Sequence, residues 1–293
     1  MKRLTLFAAV VVAMALSSET ICSAATFSDG FESYNLGALD KNLSGGPNAA
    51  PNGAGNPWFG PAPPNGQVVG IDNGVSPFSG NQMLRGANVS GADLDQNWYN
   101  LAYRLNGGAP YTGGISLQWY FYDPWGPGGT NFRDYAALGF YNTAPSATDY
   151  PGTGSLNSST QIQRLSLGAP YNASAGFDSS KYQARVIGAT DGYSGTSYFN
   201  TNTTRTMGWH QGRIVVGSAL ADGTNTVDFY IDGVLTFSHN SMTTYGYNII
   251  ELDTKFGSQT GYFDDVSFTD VPEPATVTLL ALGGLGLLRR KRN

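Results

Sequence analysis

Ile115-Ser116-Leu117-Gln118-Trp119-Tyr120-Phe121-Tyr122 sets an apolar residue at every second position. In an extended chain successive side chains point to opposite sides, so Ile115, Leu117, Trp119 and Phe121 share one face. Gln118, Tyr120 and Tyr122 fall on the other. Such alternation predicts a half-buried β-strand. A second stretch repeats the pattern: Val227, Phe229 and Ile231 alternate with Asp228, Tyr230 and Asp232. Asp232-Gly233 then signals a tight hairpin before Val234-Leu235-Thr236-Phe237, because that dipeptide tolerates the positive φ of the turn.

Working outward, strands are expected at Tyr99 to Leu105, Tyr135 to Tyr141, Gln161 to Leu167 and Tyr182 to Ile187. Others are expected at Arg213 to Gly217, Asn248 to Leu252 and Tyr262 to Phe268. Segments rich in Gly, Pro and Asn separate them, notably Ser44 to Gly66, Pro124 to Thr130 and Thr143 to Ser159. No middle stretch carries a 3.6-residue period, and no internal repeat stands out. Many short strands punctuated in this way predict an all-β fold, a two-sheet antiparallel jelly-roll sandwich over 26–270.

Composition narrows the class. The chain has 293 residues with 39 glycines, and aromatic and charged residues each make up 13%. That aromatic content supplies a core, whereas a disordered chain would be poor in such residues. Six of the 16 cations sit in the two termini, which also hold two of the 21 acids. The middle therefore has ten cations against nineteen acids, a balance near −9. Nucleic acid as a partner is excluded on this ground, since phosphate binding needs clustered Lys and Arg.

The termini read as traffic signals. Lys2 and Arg3 precede the apolar run Leu4 to Leu16, and Ser23-Ala24-Ala25 follows. This is the layout of a signal peptide, a short helix over 1–25 with cleavage after Ala25 or one residue earlier. The run is too short to span a bilayer, which takes about 20 residues. Glu19-Thr20-Ile21 is a poor lipobox for Cys22, so the only cysteine leaves with the signal. At the other end, Pro272-Glu273-Pro274 precedes 14 uncharged residues (275–288) and Arg289-Arg290-Lys291-Arg292. As a helix, those 14 residues reach about 21 Å, short of a hydrocarbon core about 30 Å thick. Snorkelling and local thinning can close part of the gap. The four cations orient the terminus toward the cytoplasm, and the two prolines keep the preceding segment extended.

Residues 271–293 resemble the PEP-CTERM sorting signal. The resemblance implies recognition of Pro272, Glu273 and Pro274 by an exosortase-type membrane peptidase, transient anchoring of 275–288 in the inner membrane, and delivery to the cell envelope or extracellular matrix. An ordinary tail anchor that stays in place is the alternative.

The middle carries a second resemblance. Phe27-Ser28-Asp29-Gly30-Phe31-Glu32-Ser33-Tyr34, Trp209-His210 before a strand, Val227 to Gly233, and Tyr262-Phe263-Asp264-Asp265-Val266 resemble concanavalin A-like lectin/glucanase domains of the laminin-G-like sort. That family implies a jelly roll whose first and last strands lie together. It includes lectins, glycanases and adhesion modules, and fold alone does not choose among them.

Catalytic chemistry finds little support in the residues. Retaining glycanases of this fold carry Glu-x-Asp-x-(x)-Glu, two carboxylates about 5 Å apart as nucleophile and acid. The middle has only Glu32 and Glu251, and Glu251-Leu252-Asp253 lacks a second glutamate after it. Asp264 and Asp265 are neighbours on a strand and point to opposite faces. One is expected to pair or cap near the first strand and the other to be solvated. His210 and His239 are the only histidines, few for a zinc site or a Ser-His-Asp triad. His210 is expected to be a packing residue. Asp93, Asp95 and Asn97 begin like a calcium loop, but Trp98 and Arg104 stand where an EF-hand needs Gly and Glu, so no cofactor is expected on a motif. An irregular calcium site of loop oxygens stays open beside the simpler reading that these residues shape turns.

The candidate functional surface is the second face of the central strands, with Gln118, Tyr120 and Tyr122 on one strand and Tyr135 and Tyr141 on another. Trp125 stands in the loop that follows Tyr122. Rings offer sugars an apolar platform and amides fix hydroxyls. The alternative is that both sheet faces are covered, or that tyrosines only stabilise strands through cross-strand pairs. Two functions remain: a non-catalytic module that binds carbohydrate such as exopolysaccharide or builds the matrix, and a divergent glycanase or lyase.

Overall fold

The computed structural model describes residues 27–39, 58–59, 66–86, 99–128, 133–141, 161–169, 176–187, 198–217, 224–243, 246–255 and 261–271. The signal segment 1–25, the calcium-like stretch Asp93 to Asn97 and the tail from Pro272 onward, with its apolar segment 275–288, lie outside these residues. So do the two terminal helices expected from sequence. No helix among the described residues is long and apolar enough to cross a membrane.

The strands in chain order are β1 (Phe27–Asp29), β2 (Gly37–Ala38), β3 (Trp58–Phe59), β4 (Gly66–Val69), β5 (Met83–Gly86), β6 (Tyr99–Arg104), β7 (Ile115–Asp123) and β8 (Arg133–Tyr141). They continue as β9 (Gln161–Ala169), β10 (Lys181–Ile187), β11 (Tyr198–Thr204), β12 (Gly208–Val216), β13 (Thr224–Ile231), β14 (Val234–Thr243), β15 (Ile249–Lys255) and β16 (Tyr262–Asp270). They form a nine-stranded sheet, β14-β13-β12-β7-β16-β5-β4-β2 with β1 on β16, and a seven-stranded sheet, β11-β10-β9-β8-β15-β6-β3. The fold is thus the expected all-β sandwich of two antiparallel sheets, and its first and last strands pair, Phe27 against Phe268.

Alternation on β7 works as the sequence requires: Ile115, Leu117, Trp119 and Phe121 are fully buried. They join Ile214, Val227, Phe229 and Ile231 of the same sheet against Ala136, Leu138, Leu165, Leu167, Ile250 and Leu252 of the other. Burying each large side chain contributes about 1.5–3 kcal/mol. Close packing also explains Gly212, where a β-carbon would collide with the Trp119 indole. At the hairpin, Asp232 (φ 50°) and Gly233 (φ 76°) both take the left-handed conformation that a two-residue turn of this kind demands.

Strand β12 begins at Gly208 rather than Arg213, so Trp209 and His210 lie inside it and not before it. Gly208 and Gly212 dilute the hydrophobic signal there. Strand β11, missed from sequence, reads Tyr-Phe-Asn-Thr-Asn-Thr-Thr. Its polar residues look like a loop, yet the two sheets meet at this flank: Phe199 stacks on Phe237, and the Thr203 amide donates to Thr236 Oγ1 at 3.1 Å.

Candidate functional site

The outer face of the nine-stranded sheet is laid out by register. Tyr122 pairs with Trp209, Tyr120 with Gln211, and Gln118 with Arg213. Arg213 pairs in turn with Tyr230. All of these are partly exposed. Phe78 lies over Tyr120 with centroids 3.6 Å apart and planes at 14°. Tyr120 is therefore not an open platform; the exposed ring is Phe78, at 43%. Tyr122 packs edge-on against Trp209 and Tyr262. Gln211 donates to the Tyr120 hydroxyl at 2.9 Å, and Trp209 Nε1 donates to the Ser76 carbonyl. The Arg213 guanidinium stacks 4.3 Å from the Tyr230 centroid. Trp125 is 46% exposed; its amide and that of Gly126 donate to Asp123 Oδ1, which fixes the loop.

Phe78, Trp209, Gln211, Arg213 and Tyr230 were not among the residues expected here. The parity of β12 would have placed three of them, had its start been legible. Phe78 comes from a loop, and only the tertiary fold brings it over Tyr120.

Tyr135 and Tyr141 do not join this face. They lie on β8 in the other sheet, both buried, and point away from the inter-sheet core. Tyr141 donates to Glu251 Oε1 at 2.6 Å, and the Tyr135 hydroxyl donates to Asp253 Oδ2. Arg164 bridges the two acids, 2.8 Å from Glu251 and 3.7 Å from Asp253. This corrects the expectation of one shared tyrosine face: the rings are held in a buried ionic network. Glu251 and Asp253 do share a face, as residues two apart on a strand must. Burial pushes the Glu251 carboxyl up, opposed by the Arg164 charge and the Tyr141 hydrogen bond. Ser166 Oγ and Gln183 Oε1 on this face are buried without a hydrogen-bond partner.

Asp264 is buried, accepting from the amides of Ser79 (3.1 Å) and Asp265 (2.9 Å). Burial pushes it up to about 7, with the Asp265 charge adding to the rise. Asp265, at φ 44° in the bulge that breaks the register between Asp264 and Ser267, stands against Gly30 beside the first strand. One acid near the first strand was expected; the second is buried and not solvated, because the bulge suspends simple alternation.

His210 packs against Phe121 and Tyr182, as expected. It also stands between Asp232 (Nδ1, 2.8 Å) and Thr206, whose Oγ1 is 3.2 Å from Nε2. That connectivity is that of nucleophile, base and orienting acid. However, Nε2 also lies 2.8 Å from the Thr206 carbonyl, which can only accept. Both ring nitrogens therefore donate, leaving no lone pair to take the hydroxyl proton. Burial lowers the His210 pKa, but the Asp232 and Thr206 hydrogen bonds and the charges of Asp232 and Asp123 carry it above its ordinary value. Among the described residues no group of three or more His, Cys, Asp or Glu could hold a metal ion.

The model of the PEP-CTERM protein-sorting motif matches residues 270–292. The chain thus ends in a PEP-CTERM signal, which marks an exported, exosortase-sorted protein of the cell envelope. No curated protein matches the chain. Several solved structures are similar to it in part. The conserved carbohydrate esterase of Shiga toxin-encoding bacteriophage phi24B is 11% identical at a TM-score of 0.47, over 81% of this chain and 100% of that one. The Emp47p carbohydrate recognition domain is 11% identical at 0.44, over 72% and 90%. A Bacillus subtilis protein of unknown function with a galectin-like fold is 14% identical at 0.42, over 82% and 99%.

Proposed function

We propose that this protein is a non-catalytic glycan-binding module of the extracellular matrix, and that the outer face of the nine-stranded sheet is its binding surface. The observation that carries the reading is the partly exposed run Gln118, Tyr122, Trp209, Gln211, Arg213 and Tyr230, with Phe78 standing over it. Rings and amides side by side suit the apolar faces and hydroxyls of a sugar. The reading also covers the tail: segment 275–288 anchors the chain transiently in the inner membrane until the exosortase acts at Pro272-Glu273-Pro274. Val271 bonds to Gly114 at the Ile115 end of β7. Trp125 follows the opposite end of that strand, so the anchored protein holds it away from the membrane.

The test uses the full chain, solubilised from a producing host, on insoluble and gel-embedded polysaccharides with reducing ends assayed in the same tubes. Retention without new reducing ends is expected, and loss of retention in Trp209→Ala and Phe78→Ala. No retention on any polymer sinks the reading.

A divergent glycanase is the second reading, favoured by Glu251 and Asp253 on one face of β15. Against it stands Arg164, which binds both carboxylates, while Tyr141 occupies Glu251 as well. New reducing ends that vanish in Glu251→Gln would reverse the order of the two.

A further inference from the structure

Arg213 sits in the middle of the proposed face, and no carboxylate of the described residues pairs with it. Its cross-strand neighbours are Gln118 and Tyr230, neither an acid. The acids nearest in register are engaged: Asp228 accepts from Ser238 Oγ at 2.5 Å, and Asp232 holds the Gln211 amide and His210. Arg213 Nε is buried with no hydrogen-bond partner, and the guanidinium makes no ion pair with a described residue. Elsewhere in the described domain, Arg85, Arg164 and Arg205 each hold a carboxylate, and Arg185, buried on the other sheet, lies over the Tyr198 ring. The contrast is sharp because the middle of the chain is acidic, near ten cations to nineteen acids.

From this we infer that the glycan taken by the face is acidic, and that Arg213 reads its carboxylate or sulfate group. The inference rests on the glycan-binding reading. A guanidinium is a rigid fork that matches a carboxylate with two parallel hydrogen bonds. Stacking on Tyr230 fixes the plane of the fork, so less freedom is lost when an anion arrives. Gln118, across the strand pair, stands where an amide meets the hydroxyls flanking such a group. Phe78 and Tyr120 occupy the adjacent rung of the same face, about 7 Å along the strand, within reach of the ring of a neighbouring sugar. An acidic polymer is repelled by the domain as a whole. Recognition therefore depends on a cation not already held by an acid, as Arg85 is by Asp72, and that makes the face selective as well as attractive.

The experiment is affinity electrophoresis of the full solubilised chain through gels containing polygalacturonate or alginate. The uncharged controls are dextran and methyl-esterified polygalacturonate, which keeps the sugar ring and masks the acid. Retardation by polygalacturonate or alginate is expected to be at least about tenfold stronger than by the ester. Arg213→Gln should abolish that difference, and Arg213→Lys should restore part of it, as charge without the fork. A thermal melt of each variant checks the fold, and Gln118→Ala offers a second handle that leaves the stack on Tyr230 intact. Equal retention by acid and ester, or a preference that survives Arg213→Gln, overturns the inference. Retention by neutral polymers alone overturns it too but leaves glycan binding standing; no retention anywhere removes both.

Discussion

The two outer faces of the sandwich use the same residue types to opposite ends. On the nine-stranded sheet, tyrosines, amides and an arginine stay partly exposed, and Arg213 meets a ring where an acid could have stood. On the seven-stranded sheet, Tyr135, Tyr141 and Arg164 are buried with Glu251 and Asp253, and the arginine is committed to both acids. A charge withdrawn from water must be matched by a fixed partner, whereas a half-exposed one can wait for a ligand. The difference separates a face that holds the fold from a face available for binding.

The comparison breaks most readily at Arg164. Arg164→Met removes the guanidinium that bridges two buried carboxylates and is expected to cost about 3–5 kcal/mol in urea unfolding. Arg213→Met on the other face should change stability by well under that, near the few tenths usual at surfaces. Equal losses would mean that the two faces do not differ in kind.

A finer test compares hydroxyls. Tyr141→Phe removes a hydrogen bond to a buried carboxylate and should cost about 1.5–3 kcal/mol, whereas Tyr122→Phe should cost almost nothing. Thermal melts of the two variants side by side decide it.

The smallest effect concerns a buried acid of the seven-stranded sheet that makes no ion pair among the described residues. Asp134 is fully buried, and neither oxygen meets a donor in hydrogen-bonding geometry. Burial, with the charges of Asp123 and Asp253, pushes its carboxyl well above the usual range, opposed in part by the Tyr262 backbone amide and the Arg205 charge. A group whose folded pKa is raised favours folding below its unfolded pKa, about 3.9, and loses that contribution as pH rises toward the folded value. Asp134→Asn is therefore expected to stabilise the domain at pH 7 by about 1 kcal/mol, with the gain fading toward pH 4. A gain independent of pH would show that charge is not the cause.

How legible the molecule was depends on the range of the interactions involved. Alternation in Ile115 to Tyr122 and the Asp232-Gly233 turn are local, so strand, buried face and hairpin could be read directly. Trp209 and Arg213 were harder, because two glycines thin the pattern of β12. Tyr135 and Tyr141 could not be assigned a face, since the acids that bury them lie 118 and 110 residues away in the chain.

The sequence by itself determined the C-terminal sorting signal, the strand-rich sandwich and the inward side of its central strands. Each is set by composition, local sterics or a two-residue period. Only the tertiary structure decided which tyrosines are buried in ion-pair networks, that Phe78 covers Tyr120, and that Arg213 makes no ion pair among the described residues. Those outcomes depend on strand order across two sheets, which pairs residues that the linear chain keeps far apart.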